Sequence, residues 1–167
     1  SEHTLSLSLI NNTGTLAAMR STNEDFTALR TEILGQLTQI GEERATLFSG
    51  PYRRARERYQ ERFGSRDYFL ENLMVCVFFH LQLPVTKSPE ELWKSYVNFC
   101  NLYSFYHFMA VMSCRNGADG SKSDLFRSVV HASRGMLHNG QHQMRLRDEF
   151  FQNDSATLAH MAVLLSG

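Results

Sequence analysis

Cysteine is scarce: the chain has three, Cys76, Cys100 and Cys114, at spacings of 24 and 14. Zinc and redox motifs bring thiols within a few residues of one another, and a disulfide framework needs an even count, so none of these patterns is present. All three fall in apolar stretches, where a free thiol behaves as a small hydrophobe, and a reducing compartment is its natural setting. Charge of one sign is missing too. The 17 basic residues are matched by 17 acidic ones, so no whole-molecule field draws the chain to nucleic acid or to anionic lipid, and neither is expected as a partner. The longest apolar run, Leu73 to Phe79, falls far short of the roughly 20 residues of a membrane span. No charged leader precedes an apolar stretch, so neither a signal peptide nor a transmembrane helix is expected. The ten glycines are scattered and form neither a phosphate-binding loop nor a Gly-x-Ser-x-Gly elbow. The first residue is Ser1 rather than Met, from which we expect an excised piece of a longer protein.

What is present is an ordinary globular balance, with 43% hydrophobic and 20% charged residues over 167 positions, enough for one domain with a core of its own. Apolar spacing points to an all-α fold: a single-domain irregular helical bundle of about six or seven helices. Residues 1–20 stay open. Leu5, Leu7 and Leu9 alternate with serines as in a strand, yet no neighbour is in view to pair with it; the alternative is a helix leading in from a missing N-terminal domain. The bundle itself is expected over 21–167. Thr22 is the expected cap of a helix carrying Phe26, Leu29, Ile33, Leu37 and Ile40 on one stripe and running on to Phe48. Ser49-Gly50-Pro51 should break it, with proline opening the next helix, and Gly64 should end that one.

Two helices, 68–83 and 89–114, are apolar and aromatic nearly all round, and we expect them at the centre of the bundle, covered by the amphipathic 22–48 and 123–138 helices. Pro84 should stop the first of the pair. Ser88-Pro89-Glu90-Glu91 is the clearest helix start in the chain: serine caps, proline takes the first helical position, and Glu91 closes the box. After a loop at 116–121, Ser123 should cap a helix to His138, with short helices at about 141–151 and 155–165 following.

Chemistry-bearing patterns are few. His138 and His142 are four residues apart, but Asn139-Gly140 between them should end the helix, and no carboxylate pair completes a metal site, so no metal ligand is assigned. His80 and His107 read as core or boundary residues. Arg54, Arg58 and Arg62 stand at four-residue steps with Glu57 and Glu61 interleaved, which reads as a solvated face with helix-spaced salt bridges; a protein-partner site or a nucleic-acid contact is the other use of such a face. No catalytic or cofactor-binding residue is assigned.

The segment Arg66-Asp67-Tyr68-Phe69-Leu70-Glu71-Asn72-Leu73, continuing through Phe78-Phe79 to Leu83-Pro84, is followed by Ser88-Pro89-Glu90-Glu91-Leu92-Trp93, a long aromatic helix, a short loop, Asp124-Leu125-Phe126 and Leu137-His138-Asn139. This order resembles the C-terminal half of the bacterial flagellin lysine-N-methylase family over about residues 65–139, with Thr13-Gly14-Thr15-Leu16-Ala17 as a weaker echo. The resemblance implies methyl transfer to lysine side chains of flagellin in the bacterial cytoplasm. It also implies S-adenosylmethionine as methyl donor and an iron–sulfur cluster in a cysteine-rich N-terminal part, to which Cys76, Cys100 and Cys114 do not correspond. Its implied partners are flagellin and the missing N-terminal part of the same protein. Only Asn72, His138 and Asn139 match polar positions of the family, and helix packing or C-capping is their other role. The expectation is therefore a C-terminal helical domain, inactive alone, that serves as scaffold or substrate-docking part and holds no cofactor itself. The alternative is a stand-alone helical interaction or ligand-sensing module, which would hold an internal apolar pocket between the 68–83 and 89–114 helices.

Overall fold

A computed structural model describes residues 2–19, 21, 23–38, 44–64, 68–85, 88–116, 122–137, 148, 151, 152 and 156–165. They form helices α1 (Glu2–Ala18), α2 (Glu24–Thr38), α3 (Arg44–Phe63), α4 (Tyr68–His80), α5 (Pro89–Ser113), α6 (Lys122–Leu137) and α7 (Leu158–Leu165), with a 3-10 turn at Leu83–Val85. No strand occurs among the described residues, and the fold is the expected all-α irregular bundle.

The segment that the sequence left open between strand and helix is α1. Its inward stripe is Ser8, Leu9, Asn12, Thr15, Leu16 and Met19, all buried, a three-to-four-residue spacing that only a helix produces. Half of that stripe is polar, and α5 supplies partners to Ser8, Asn12 and the neighbouring Asn11. Asn12 Nδ2 donates to Ser104 Oγ at 2.9 Å, the Ser8 and Ser104 hydroxyls lie 3.1 Å apart, and Asn11 Nδ2 donates to Asn101 Oδ1 at 3.1 Å.

Helix α2 starts one residue later than the capping pattern places it. The cap is Asn23, whose Oδ1 accepts from the Phe26 backbone N–H at 2.9 Å; Thr22 lies outside the described residues. Glu24 and Asp25 in the first turn suit the positive end of the helix dipole. Phe26, Leu29, Ile33 and Leu37 are buried as the stripe requires; α2 is described to Thr38, residues 39–43 lie outside the described residues, and Arg44 to Phe48 belong to α3.

The break expected at Ser49-Gly50-Pro51 is absent, and Pro51 sits inside α3. An interior proline removes one backbone hydrogen bond and crowds the preceding turn, at roughly 3 kcal/mol. Tyr52, Ala55 and Tyr59, one stripe of the same helix, are buried to within 4%, and their packing holds the helix direction through the proline. Gly64 ends α3 as expected: its N–H donates to Gln60 O at 2.8 Å, and a Cβ there would fall 2.4 Å from that carbonyl oxygen.

Ser88 Oγ accepts from the Glu91 N–H at 3.2 Å and launches α5, whose 25 residues span about 37 Å at 1.5 Å per residue. It packs against α1, α3, α4, α6 and α7. From Phe105 to Met112 every residue but His107 is within 1% of full burial. The covers are thus α1, α3, α6 and α7 rather than α2, which reaches α1, α3 and α6 instead. Helix α6 begins at Lys122, so Ser123 lies within its first turn. A smaller cluster of Val97, Cys100, Met161 and Leu164 joins α7 to the first half of α5.

The expectation that both apolar helices are covered holds for α5 from Val97 onward and not for the outer face of α4. Leu70, Met74 and Val77 are buried, whereas Val75, Phe78 and Phe79 are 50%, 38% and 66% exposed and Cys76 is exposed. Helix α4 also ends at His80, earlier than Pro84 requires. Leu81 N–H donates to Val77 O and Gln82 N–H to Phe79 O, and Gln82 turns the chain with φ of 51°, the left-handed conformation that terminates helices. Pro84 falls in the 3-10 turn that follows.

Candidate functional site

The one-sided packing of α4 leaves an apolar groove between it and α5. Two adjoining cavities of about 660 and 760 Å³ share Phe78 and Phe99 as walls. The first is closed by Met74, Val75, Phe79, Tyr103 and, from α7, Leu165, and among the described residues Glu71 is the one charged side chain that lines it. The second extends over Leu83, Pro89, Leu92, Trp93 and Tyr96. The sequence pointed to an apolar pocket between these helices, but as an internal one; the groove instead opens at the surface through Val75, Phe79 and the 47%-exposed Leu92.

Its rings are held in place from behind. Phe78 stands edge-on to Phe79 at 5.7 Å and to Phe99 at 6.2 Å between centroids. Tyr103 stacks on His107 at 6.1 Å with 8° between planes, and His107 meets the edge of Tyr59 at 5.7 Å. Such contacts each contribute about 0.5–1.5 kcal/mol beyond burial, so the aromatic walls are set before anything binds. Trp93 and Tyr96 lie 5.6 Å apart. The Tyr96 hydroxyl is pushed above its ordinary range by its hydrogen bond to Cys100 and then by burial, so Tyr96 is a neutral group.

The arginines of α3 divide. Arg54 is exposed, on the solvated side. Arg58 Nη1 donates to Arg115 O at 2.5 Å, satisfying a carbonyl just beyond the end of α5 and placing a cation at the negative end of its dipole. Arg62 is exposed with its guanidinium 5.5 Å from the Phe63 ring centre. Burial pushes the Cys114 thiol up, against the opposing pull of its Ser113 hydrogen bond and of the Arg62 and Arg58 charges. The same end is tied to α2: Arg115 pairs with Glu32 at 2.5 Å, Asn116 Nδ2 donates to Glu32 at 2.8 Å, and Gln36 donates to Asn116 at 3.1 Å. Those bonds, led by Arg115, hold the Glu32 carboxyl below its ordinary value. Asn72 is exposed on α4. His138, Asn139 and His142 lie outside the described residues.

The thiols do not fit an iron–sulfur cluster. Cys100 and Cys114 are buried and Cys76 is exposed. Along a helix the first two stand about 21 Å apart, and burial pushes both thiols up, away from the thiolate a metal requires. Among the described residues no three histidine, cysteine or carboxylate side chains converge on a common point, and no helix is long and apolar enough to cross a membrane. What the groove can do chemically is take up apolar and aromatic side chains, with one carboxylate to orient them.

The groove was half-legible. The aromatic content of both helices was plain, but nothing local marked Val75, Phe78 and Phe79 as uncovered. The family model described as FliB lysine N-methylase C-terminal domain matches residues 1–164 of the 167, so the likeness extends well beyond residues 65–139. No curated protein and no solved structure matches the chain.

Proposed function

The chain belongs to the family of FliB lysine N-methylase C-terminal domains, and from that premise we propose that it is the scaffold and substrate-docking part of a methylase acting on flagellin, with methyl transfer carried out elsewhere in the protein. The observation that carries this reading is the open groove between α4 and α5, whose ring walls are fixed from behind. Contiguous exposed apolar surface of this kind marks interaction sites in soluble domains, and aromatic anchors dominate binding energy at interfaces. The iron–sulfur cluster and S-adenosylmethionine belong, on this reading, to the N-terminal part, and the whole works in the bacterial cytoplasm.

The test is binding of monomeric flagellin to the purified chain, with Phe79→Glu and Leu92→Glu as variants. Both side chains are exposed, so neither variant should unfold the bundle, and circular dichroism checks this. Each should weaken binding by about tenfold or more, since a charge placed in an apolar contact costs over 1.4 kcal/mol. Equal binding by both variants refutes docking through the groove.

The cavity sizes also fall within the roughly 300–1,000 Å³ of small-molecule sites, which favours a ligand-sensing or interaction module as the second reading. A small apolar ligand that binds the chain and does not compete with flagellin would support it.

A further inference from the structure

The first cavity of the groove has an unusual balance of partners for a docking surface. Phe78, Phe79, Phe99 and Tyr103 line it, and Glu71 is the one carboxylate among the described residues there. Phe79 is two-thirds exposed, so its ring has area to offer a ligand, while Tyr103 is braced by His107 and Phe78 by Phe99. Rings of this kind attract a cation held over their faces, and the attraction grows when the cation is desolvated. The lone carboxylate supplies the complementary charge.

The number of polar partners decides which cation fits. An unmodified lysine ammonium carries three N–H donors, and leaving its surroundings of water without replacements for them is costly. Among the described residues that line this cavity, the side-chain oxygen acceptors are the Glu71 carboxylate and the Tyr103 hydroxyl. Each methyl group placed on the nitrogen removes one donor and adds an apolar surface that the rings can cover, while the positive charge stays. We propose that the α4–α5 groove binds an Nε-methylated lysine side chain between Phe79, Phe99 and Tyr103, oriented by Glu71. The inference rests on the docking reading above and deepens it: the family's reaction makes methylated lysines, so the groove holds a modified residue of the substrate rather than the unmodified one.

The test uses the full 167-residue chain and three probes. They are Nα-acetyl-Nε-trimethyllysine methylamide, the unmethylated lysine analogue, and the neutral carbon isostere in which a tert-butyl group replaces trimethylammonium. Calorimetry gives the affinities, and the fluorescence of Trp93, the only tryptophan and a neighbour of the groove, reports where binding occurs. The trimethylammonium probe should bind at least about tenfold more tightly than either of the others, which is the discrimination expected of a desolvated cation–π site. Phe79→Leu should reduce that affinity about fivefold or more while leaving the melting profile unchanged, and Glu71→Gln should reduce it by a smaller factor. Equal binding of the neutral isostere, or no effect of Phe79→Leu, overturns the proposal. Flagellin binding that depends on Phe79 and Leu92 without any selection among the three probes leaves docking standing and sinks the methyl-lysine site. Probe selection with no flagellin binding supports the site and removes the docking reading instead.

Discussion

Val77 and Phe79, two residues apart on α4, should respond to truncation in opposite ways. Val77 is 1% exposed and Phe79 is 66% exposed. Val77→Ala removes two buried carbon groups at roughly 0.8 kcal/mol each and leaves a cavity of about 40 Å³ that adds roughly 1 kcal/mol. The expected loss is about 2.5 kcal/mol, which for a domain of this size lowers Tm by about 5–10 °C. Phe79→Gln removes a larger side chain, yet little of it is withdrawn from water on folding, so the change should stay within about 0.5 kcal/mol. Chemical denaturation followed by circular dichroism at 222 nm measures both. A helix enclosed on all sides, as the sequence alone implies for α4, would make Phe79 the costlier site, at about 3–5 kcal/mol for loss of a buried aromatic. A loss above about 2 kcal/mol at Phe79 would therefore refute the one-sided packing of α4 and, with it, the open groove.

Three further outcomes follow from local chemistry. The Glu32 carboxyl is held below its ordinary value of 4.5 by Arg115, so its contribution is complete above that value and is lost as pH falls through the lower folded one. With the Glu32 side chain 44% exposed, the contribution is about 1 kcal/mol or less, and acid titration of stability in Glu32→Gln should lack that increment. Ser104→Ala takes an acceptor from Asn12 Nδ2 and a partner from Ser8, and should cost about 1–3 kcal/mol in a thermal melt because the groups left behind are buried. Gln82→Gly relieves a left-handed residue with φ of 51°, and should raise stability by about 0.5 kcal/mol after the entropy of the unfolded glycine is subtracted.

The start of α5 was fully legible in the sequence because a serine, a proline and two glutamates act there through local backbone chemistry. The α2 stripe was legible for a similar reason, since Phe26, Leu29, Ile33 and Leu37 are apolar at helical spacing. Its cap was not, as Thr22 and Asn23 are adjacent residues that both cap helices, asparagine the better of the two. Helix α1 escaped because hydrophobic periodicity does not register Ser8, Asn12 and Thr15; Ser104, the partner of Ser8 and Asn12, lies more than 90 residues on. Pro51 misled because tertiary burial of Tyr52 and Tyr59 outweighs a local penalty. The family likeness is plainest over residues 65–139, where aromatic order is distinctive, and only faint at Thr13 to Ala17 in α1, where the match also runs. The groove needed the structure: an apolar helix face carries no local sign of whether anything stands opposite it.

The two ends of α5 are held very differently. Its final turn is gripped by Arg58 from α3 and, through Arg115 and Asn116, by Glu32 and Gln36 from α2, and the residues leading to it are enclosed. Its first two turns carry the half-open side chains of Leu92, Trp93 and Tyr96 along the groove. Opening free energies should therefore rise along one continuous helix, with amide protons near Trp93 exchanging through local fraying and those near Met109 only through global unfolding. The groove sits where that gradient begins. Whatever settles between α4 and α5 would slow exchange at the near end of α5 while leaving the far end unchanged, so the helix itself can serve as a built-in gauge of occupancy.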